Sequence, residues 1–454
     1  MSENKDECKK IKIAAITATR AEYGLLQNIL IEIQNSELAE LFLYVSGTHL
    51  LKEYGYTISE IVGAGLHIRR LVDIMPDDLY LALANSEVDI DRRKFEDILD
   101  SLGEALEKSL DSAYVNEILS SKFIYKSYDN SNIEMTSETQ RTNLQSALAL
   151  AKFSRILEED EVDAVIVLGD RYELLPIANA CLNLQIPLIH IGGGELSYGA
   201  IDEYVRHALS KLAYLHFPSE DEFAKRIMQM GESEDRIFCL GDTGVENVCH
   251  IEYIDSQEIL TELGLDTKPY YLITFHPETM STEEENAIQL AELLRVLNEE
   301  DECSFIFTGV NADKGRDKIS ALLEEFAESH ANAFIFGSLG IRRYLNLMRD
   351  TIAVLGNSSS ALIEAPAMGV PAINVGKRQS GRRSSPNVLH ASTYKEIKES
   401  LKLAKTYRFR QCCKEYGQKI MANNVAANIA KTICEKITKR QNIAKTFIDR
   451  DFSI

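Results

Sequence analysis

No apolar run in the 454-residue chain approaches the ~20 residues that a bilayer-crossing helix needs, which excludes a helical membrane span. The first ten residues, Met1 to Lys10, are polar and mixed in charge, and the apolar run behind them is too short for a secretory leader, so the expected location is the cytoplasm. The eight cysteines are scattered, with no CxxC pair and no histidine at zinc-site spacing. Neither a disulfide scaffold nor a metal centre is expected; the thiols read as reduced and mostly buried. Basic residues are in deficit, 49 Lys and Arg against 70 Asp and Glu, for a formal charge of -21. That balance works against nucleic acid or an acidic membrane surface as a partner. Any phosphate must be held in a local pocket.

What is present is 45% apolar content, enough for about two or three domains. Short apolar runs alternate with helical periodicity. Strands are expected at 12–16, 41–45, 163–168 and 186–191, and in a second series at 270–275, 303–307, 333–336, 352–355 and 372–375. After the first run, Leu25, Leu26, Ile29, Leu30 and Ile33 share one helical face. Continuous apolar strands separated by helices imply parallel sheets covered on both faces, hence an α/β fold of two Rossmann-like domains meeting near 218–245. The expected division is 1–217, 218–420, and a helical tail at 421–454 packing across the domains, with Val425, Ile429, Ile433 and Ile437 at helical spacing. Residues 77–135 break the alternation. Phe95, Ile98, Leu99, Leu102 and Leu106 recur as on a helix, and Leu110 to Leu119 suggest another, so this stretch reads as a mostly helical insertion in the first domain, either structural or a lid or oligomer contact.

Ligands of such sheets bind beyond the carboxyl ends of the strands, and polar loops follow several of them here, which points to one cleft between two domains. Thr19-Arg20, Gly169-Asp170-Arg171, Gly192-Gly193-Gly194-Glu195, His276-Pro277-Glu278 and Gly356-Asn357-Ser358-Ser359-Ser360 are these loops. The last reads as a helix start that presents hydroxyls and unpaired amides to a diphosphate, with Glu364 one turn in and able to grip a sugar hydroxyl; a plain serine cap is the alternative. Asp170, Glu195 and Asp202 are carboxylates that could divide acid and base duties if brought together, or could simply cap loops. Asp202 and Arg206 lie four apart on a helix, as an ordinary surface pair also would. His276 could hold phosphate or protonate a leaving group, or be structural. Arg20, Arg171 and Arg382 suit phosphate because a planar guanidinium matches its oxygens two at a time.

Taken together, Thr19-Arg20-Ala21-Glu22-Tyr23-Gly24, Leu168-Gly169-Asp170-Arg171-Tyr172-Glu173, His190-Ile191-Gly192-Gly193-Gly194-Glu195, Asp202-Glu203-Tyr204-Val205-Arg206-His207, Phe275-His276-Pro277-Glu278-Thr279, Asn311-Ala312-Asp313 and Gly356-Asn357-Ser358-Ser359-Ser360 with Glu364-Ala365-Pro366 resemble the hydrolysing UDP-N-acetylglucosamine 2-epimerases of sialic acid biosynthesis. The likeness spans nearly the whole chain apart from the insertion. It implies a glycosyltransferase-B-like pair of domains binding a UDP-sugar, no redox cofactor, and a homodimer or homotetramer. It further implies elimination of UDP to a 2-acetamidoglucal followed by rehydration to an N-acetylmannosamine-type sugar. Asp170, Glu195, Asp202 and His276 would be catalytic. Arg20, Arg171, Arg206, Asn311, Ser358, Ser359, Glu364 and Arg382 would bind substrate. The same reaction on UDP-N,N'-diacetylbacillosamine, a non-hydrolysing epimerase, a glycosyltransferase and a non-catalytic sugar-nucleotide sensor are the alternatives.

Overall fold

The structure, a computed structural model, describes residues 9–76, 89–90, 92–106, 138–198, 200–265, 269–310, 315–420, 422–440 and 443–451. The chain divides into two compact units: 1–194 with 204–241 and 424–454, and 195–203 with 242–423. The division therefore falls at 241/242 rather than near 217/218. The segment 195–203 belongs with the second unit because Tyr198 N–H donates to Ser380 O (2.9 Å) and Ile201 N–H to Thr279 Oγ1 (2.9 Å).

Each unit is built on a parallel sheet. The described strands of the first are β1 Ile11–Thr17, β2 Ala39–Ser46, β3 Ile68–Val72, β4 Ala164–Leu168, β5 Leu188–Ile191 and β6 Leu215–Phe217, ordered β3-β2-β1-β4-β5-β6. Those of the second are β7 Tyr270–Thr274, β8 Ser304–Thr308, β9 Ala333–Phe336, β10 Val354–Gly356, β11 Ala372–Val375 and β12 Val388–Ala391, ordered β12-β11-β10-β7-β8-β9. Both are the doubly wound Rossmann order, so the expected α/β class holds in each half. The direction of winding reverses between β1 and β4 in the first sheet and between β7 and β10 in the second. Crevices form at such reversals, because the connections on either side leave in opposite directions.

The sheets are buried on both faces, which is why their central strands read as unbroken apolar runs. In β7, Tyr271 and Ile273 pack into one helical layer with Leu290, Leu293 and Phe326, while Tyr270 and Leu272 pack into the other with Leu345, Leu347 and Met348. In the first unit Ala14, Ile16, Val165 and Val167 pack with Phe153, Ile156 and Leu157 of the helix Glu138–Glu159. The helix Val425–Thr438 buries Val425, Ile429, Ile433 and Ile437 and packs on the helix Arg20–Gln34 within the first unit.

The strands expected from sequence are present, with ends moved by no more than two residues. Three described strands were not expected: β3, β6 and β12. All three are sheet edges. β3 carries Arg69 and Arg70, which bond the buried Asp160 at 2.7 and 3.0 Å. β6 is three residues long with a central His216 that faces Glu232 at 3.3 Å. Short, polar strands suit edges, where they discourage pairing with other chains, and for the same reason they leave no apolar run to read. Of the insertion, a helix at Arg92–Leu106 is described, with Phe95 and Ile98 buried; the pattern at 110–119 lies outside the described residues. Cys181, Cys303, Cys413 and Cys434 are buried free thiols, while Cys239, Cys249 and Cys412 are exposed. Among the described residues no helix is long and apolar enough to cross a membrane.

Candidate active site

In the first unit the loops after β1 and β4 flank the winding reversal, and they carry Arg20 and Asp170-Arg171. Arg20 opens the helix Arg20–Gln34. Asp170 forms an ion pair with Arg206, whose side chain is 1% exposed and comes from the helix Asp202–Leu212. Arg206 is thus a buried cation fixing the Asp170 carboxylate, and not a surface residue. Arg171 donates to Glu173 at 3.0 Å. The backbone of this loop is held from β5. His190 Nε2 lies 2.7 Å from Gly169 O, and because a carbonyl only accepts, Nε2 carries the proton and Nδ1 accepts from Ser210 (3.2 Å). Burial pushes His190 down to about 4, so this neutral tautomer persists across the physiological range.

The second unit holds its loops differently. Gly356 ends β10 with φ +116°, and a Cβ there would sit 1.9 Å from Thr274 O, so only glycine fits. Asn357 is fully buried and clamps the neighbouring loop after β7. Its Oδ1 accepts from His276 N–H (2.7 Å) and its Nδ2 donates to His276 O (2.8 Å). His276, itself 6% exposed, therefore has its backbone fixed by the adjacent loop at the winding reversal. Gln379 Nε2 donates to Asn357 O at 2.7 Å. Glu278 Oε1 accepts from the backbone N–H groups of Lys377 (2.5 Å) and Arg378 (3.0 Å), which ties the basic loop 376–382 to the same place. In that loop Gly376 has φ +87°, and a Cβ would meet Glu278 Oε1 at 2.4 Å.

Ser358 caps a 3-10 turn, Ser359–Ala361, accepting from Ser360 N–H at 3.4 Å, and a single helical turn follows at Glu364–Ala367. The longer helix expected here is absent because Gly369, at φ +74°, terminates the turn after Pro366 and Ala367. The amides of Ser360, Ala361, Leu362 and Ile363 donate to oxygens of Ser358 and Ser359, and a sizeable helix dipole does not form. Glu364 is half-buried as a residue, yet its Oε2 is shut off from solvent and meets no hydrogen-bond partner in the described chain. Burial, aided by the Asp242 charge and opposed by Arg382, pushes it up to about 7.

Glu195 and Asp202 lie on the segment that belongs with the second unit. Glu195 Oε2 is 3.5 Å from an Arg382 nitrogen, so Arg382, expected at the phosphate or uracil, also partners a carboxylate assigned to proton transfer. Asp202 is the first residue of its helix. Asn311 lies outside the described residues. The supports that sequence reasoning did not assign are His190, Asn357, Glu278 and Gln379. Asn357 sat within a quoted motif; Gln379 carried no signal beyond its place in a basic loop.

Residues 110–433 match the family described as UDP-N-acetylglucosamine 2-epimerase. The chain belongs to that family. Relatives similar over nearly their whole length include the GDP/UDP-N,N'-diacetylbacillosamine 2-epimerase (hydrolyzing) of Campylobacter jejuni, 30% identical across 97% of this chain and 99% of the relative. Polysialic acid biosynthesis protein P7 of Escherichia coli is 30% identical across 96% and 97%. A UDP-N,N'-diacetylbacillosamine 2-epimerase (hydrolyzing) of Legionella pneumophila is 29% identical across 87% and 88%. The crystal structure of UDP-GlcNAc 2-epimerase from Neisseria meningitidis bound to UDP-GlcNAc covers 94% of this chain and 100% of its own, with a TM-score of 0.65 at 16% identity. That of the Methanocaldococcus jannaschii UDP-GlcNAc 2-epimerase in complex with UDP-GlcNAc and UDP covers 94% and 100%, with a TM-score of 0.63 at 14% identity. These likenesses establish the glycosyltransferase-B-like fold.

Proposed function

We propose that this epimerase is hydrolysing, converting UDP-N-acetylglucosamine and water to UDP and free N-acetylmannosamine. In the first step a carboxylate takes the proton from C2, the C2–H pair forms the C1–C2 double bond, and the C1–O bond breaks with its electrons leaving on UDP. In the second step water adds its hydroxyl to C1 while a proton returns to C2 on the opposite face. Atoms and charge balance without an oxidant or reductant. Asp170, Glu195 and Asp202 serve as the acid and base groups. Arg20, Arg171, Arg206 and His276 neutralise or position the departing diphosphate. Ser358 and Ser359 hold phosphate, Arg382 the phosphate or uracil side, Asn311 assists in binding, and Glu364 accepts from the ribose hydroxyls.

The observation that carries this reading is Asp170, set at the winding reversal of the first sheet by a buried arginine and a neutral histidine. A carboxylate so fixed keeps one orientation, which is what proton transfer to a single carbon demands. The sealed Oε2 of Glu364 supports the nucleotide end, since a buried acceptor without a donor is costly until a ligand hydroxyl supplies one. A second reading of the sugar is favoured by the relatives at 30% and 29% identity named for UDP-N,N'-diacetylbacillosamine. That substrate shares the nucleotide and the reacting carbons and differs at positions 4 and 6.

Purified enzyme given each UDP-sugar separately, with UDP and sugar products resolved by chromatography, tests both readings. Free UDP with a free manno-configured sugar from one substrate supports hydrolysis and names the sugar. A UDP-linked manno product without free UDP contradicts hydrolysis, and no product from either contradicts the proposal.

A further inference from the structure

Thr279 ends the motif His276-Pro277-Glu278-Thr279 and takes no part in the reaction scheme above. Its hydroxyl accepts from the backbone N–H of Ile201 at 2.9 Å. Ile201 immediately precedes Asp202, the first residue of the helix Asp202–Leu212. An amide in that place has no partner inside the helix, so the side chain that accepts from it sets how the chain enters the first turn. Thr279 thereby orients the backbone that carries Asp202. It is itself fixed through its neighbour. Glu278 N–H donates to Asn286 Oδ1 (2.7 Å) and Asn286 Nδ2 donates to Glu278 O (3.1 Å), so a buried asparagine of the helix Glu283–Leu297 clamps the backbone next to Thr279.

The other end of the segment 195–203 is held from the basic loop. Three consecutive residues of that loop meet it: Ser380 O accepts from Tyr198 N–H (2.9 Å), Gly381 stands against Leu196 and the Tyr198 ring, and Arg382 pairs with Glu195 (3.5 Å). Gly381 has φ +89°, and a Cβ there would lie 2.8 Å from the ring and 3.0 Å from Leu196 Cβ, so a side chain at 381 would push the segment away. Between the two ends Ser197 N–H donates to the Glu203 carboxylate, which closes the segment on itself. Among its described residues Ser197 and Ala200 are the buried ones and both are small, while Tyr198 and Ile201 are 63% and 49% exposed. With so little apolar surface buried, the polar bonds and the Gly381 contact decide where the segment sits.

We infer that Thr279 and Ser380-Gly381-Arg382 form a latch that sets Glu195 and Asp202, the carboxylates at the two ends of the segment, in place for proton transfer. Thr279 and Gly381 are then positioning residues, and their part in turnover rests on the reaction proposed above. Glu278 joins the two halves of the latch, since its carboxylate accepts from Lys377 and Arg378 N–H while its backbone leads into Thr279. The loops assigned to the nucleotide thus also place two of the three carboxylates assigned to proton transfer.

The test compares full-length wild type with Thr279→Val, Thr279→Ser and Gly381→Ala by hydrogen–deuterium exchange of peptides within 195–204, by UDP calorimetry and by steady-state kinetics. Valine keeps the shape of threonine and removes the acceptor; serine keeps the acceptor. The Ile201 bond lies near solvent, so its loss is moderate. Thr279→Val should lower kcat roughly five- to tenfold with UDP affinity held within about twofold, and Thr279→Ser should bring kcat back to within about twofold of wild type. Gly381→Ala, which displaces the segment outright, should lower kcat about 10–100-fold. Exchange in 195–204 should be faster than wild type in Thr279→Val and Gly381→Ala, and at the wild-type rate in Thr279→Ser. Unchanged exchange in Thr279→Val and Gly381→Ala, equal loss in the valine and serine variants, or a loss of UDP affinity with kcat retained overturns the inference. The exchange arm needs no substrate. Faster exchange in a protein that turns over neither UDP-sugar refutes the reaction and supports the latch, whereas turnover without the exchange pattern refutes the latch alone.

Discussion

The two units hold their functional loops by different means. In the first, charge fixes charge: Arg206 grips Asp170, Glu173 grips Arg171, and a neutral His190 holds the backbone between. In the second, amides and backbone dominate. Asn357 clamps His276, Gln379 clamps Asn357, and glycine lets β10 pass against Thr274. Among the described residues the Glu195–Arg382 pair and the Glu278 carboxylate, which accepts from the Lys377 and Arg378 amides, are ionic exceptions. Ion pairs at close range orient groups that must gain and lose protons, whereas neutral clamps shape a fixed cradle without shifting the charge offered to a diphosphate. Under the function proposed above, proton chemistry falls to the first set of loops with Glu195 and Asp202, and nucleotide holding to the second.

Breaking the first set should have the largest effect. Asp170→Asn keeps the shape but removes the proton acceptor, and kcat should fall about 10²–10⁴-fold while UDP affinity holds, measured by steady-state kinetics and calorimetry. Loss of UDP affinity with kcat retained would reverse the division. Gly356→Ala comes next, because the new Cβ would lie 1.9 Å from Thr274 O at a φ of +116°. It should cost at least about 3 kcal/mol of stability, read from denaturant unfolding.

Asn357→Ala removes both bonds to the His276 backbone, made at 2.7 and 2.8 Å, and leaves buried groups unsatisfied. A loss of about 2–3 kcal/mol is expected by the same measurement, together with weaker UDP binding. The smallest effect sharpens the comparison. Glu364→Gln should weaken UDP binding about tenfold at pH 8. Wild-type affinity should decline as pH falls through about 7, where the carboxyl gains its proton, and the variant should not follow. Because burial raises Glu364, its stabilising proton is lost as pH rises from 4.5 through about 7, so Glu364→Gln should also melt higher than wild type above pH 7.

Much of this was legible in the sequence for a physical reason. Central strands such as Ala164–Leu168 are buried on both faces and must be apolar throughout, so they announce themselves, and the loops that follow them carry the unusual residues. The edges were not legible, since β3 spends two of its five residues on arginines that serve Asp160. The site's supports were hidden for another reason. Asn357 acts on a residue 81 positions away and Glu278 on loop amides 99 and 100 away, and no local pattern encodes such a partner. For Arg206 the sequence left a surface pair with Asp202 open beside substrate binding, because helical spacing gives a face but not what covers it, and its burial against Asp170 was not foreseen. At Glu364 the glycine that ends the turn, Gly369, was in view, but the serines ahead of it read as the cap of a longer helix.

The central claim is that a carboxylate removes the C2 proton as UDP departs, and turnover of UDP-N-acetylglucosamine in deuterated water, followed by proton NMR, tests it most directly. The account predicts free UDP, with deuterium at C2 of the released manno-configured sugar from the first turnover. Free sugar that retains its C2 proton, or retains the gluco configuration, would contradict it.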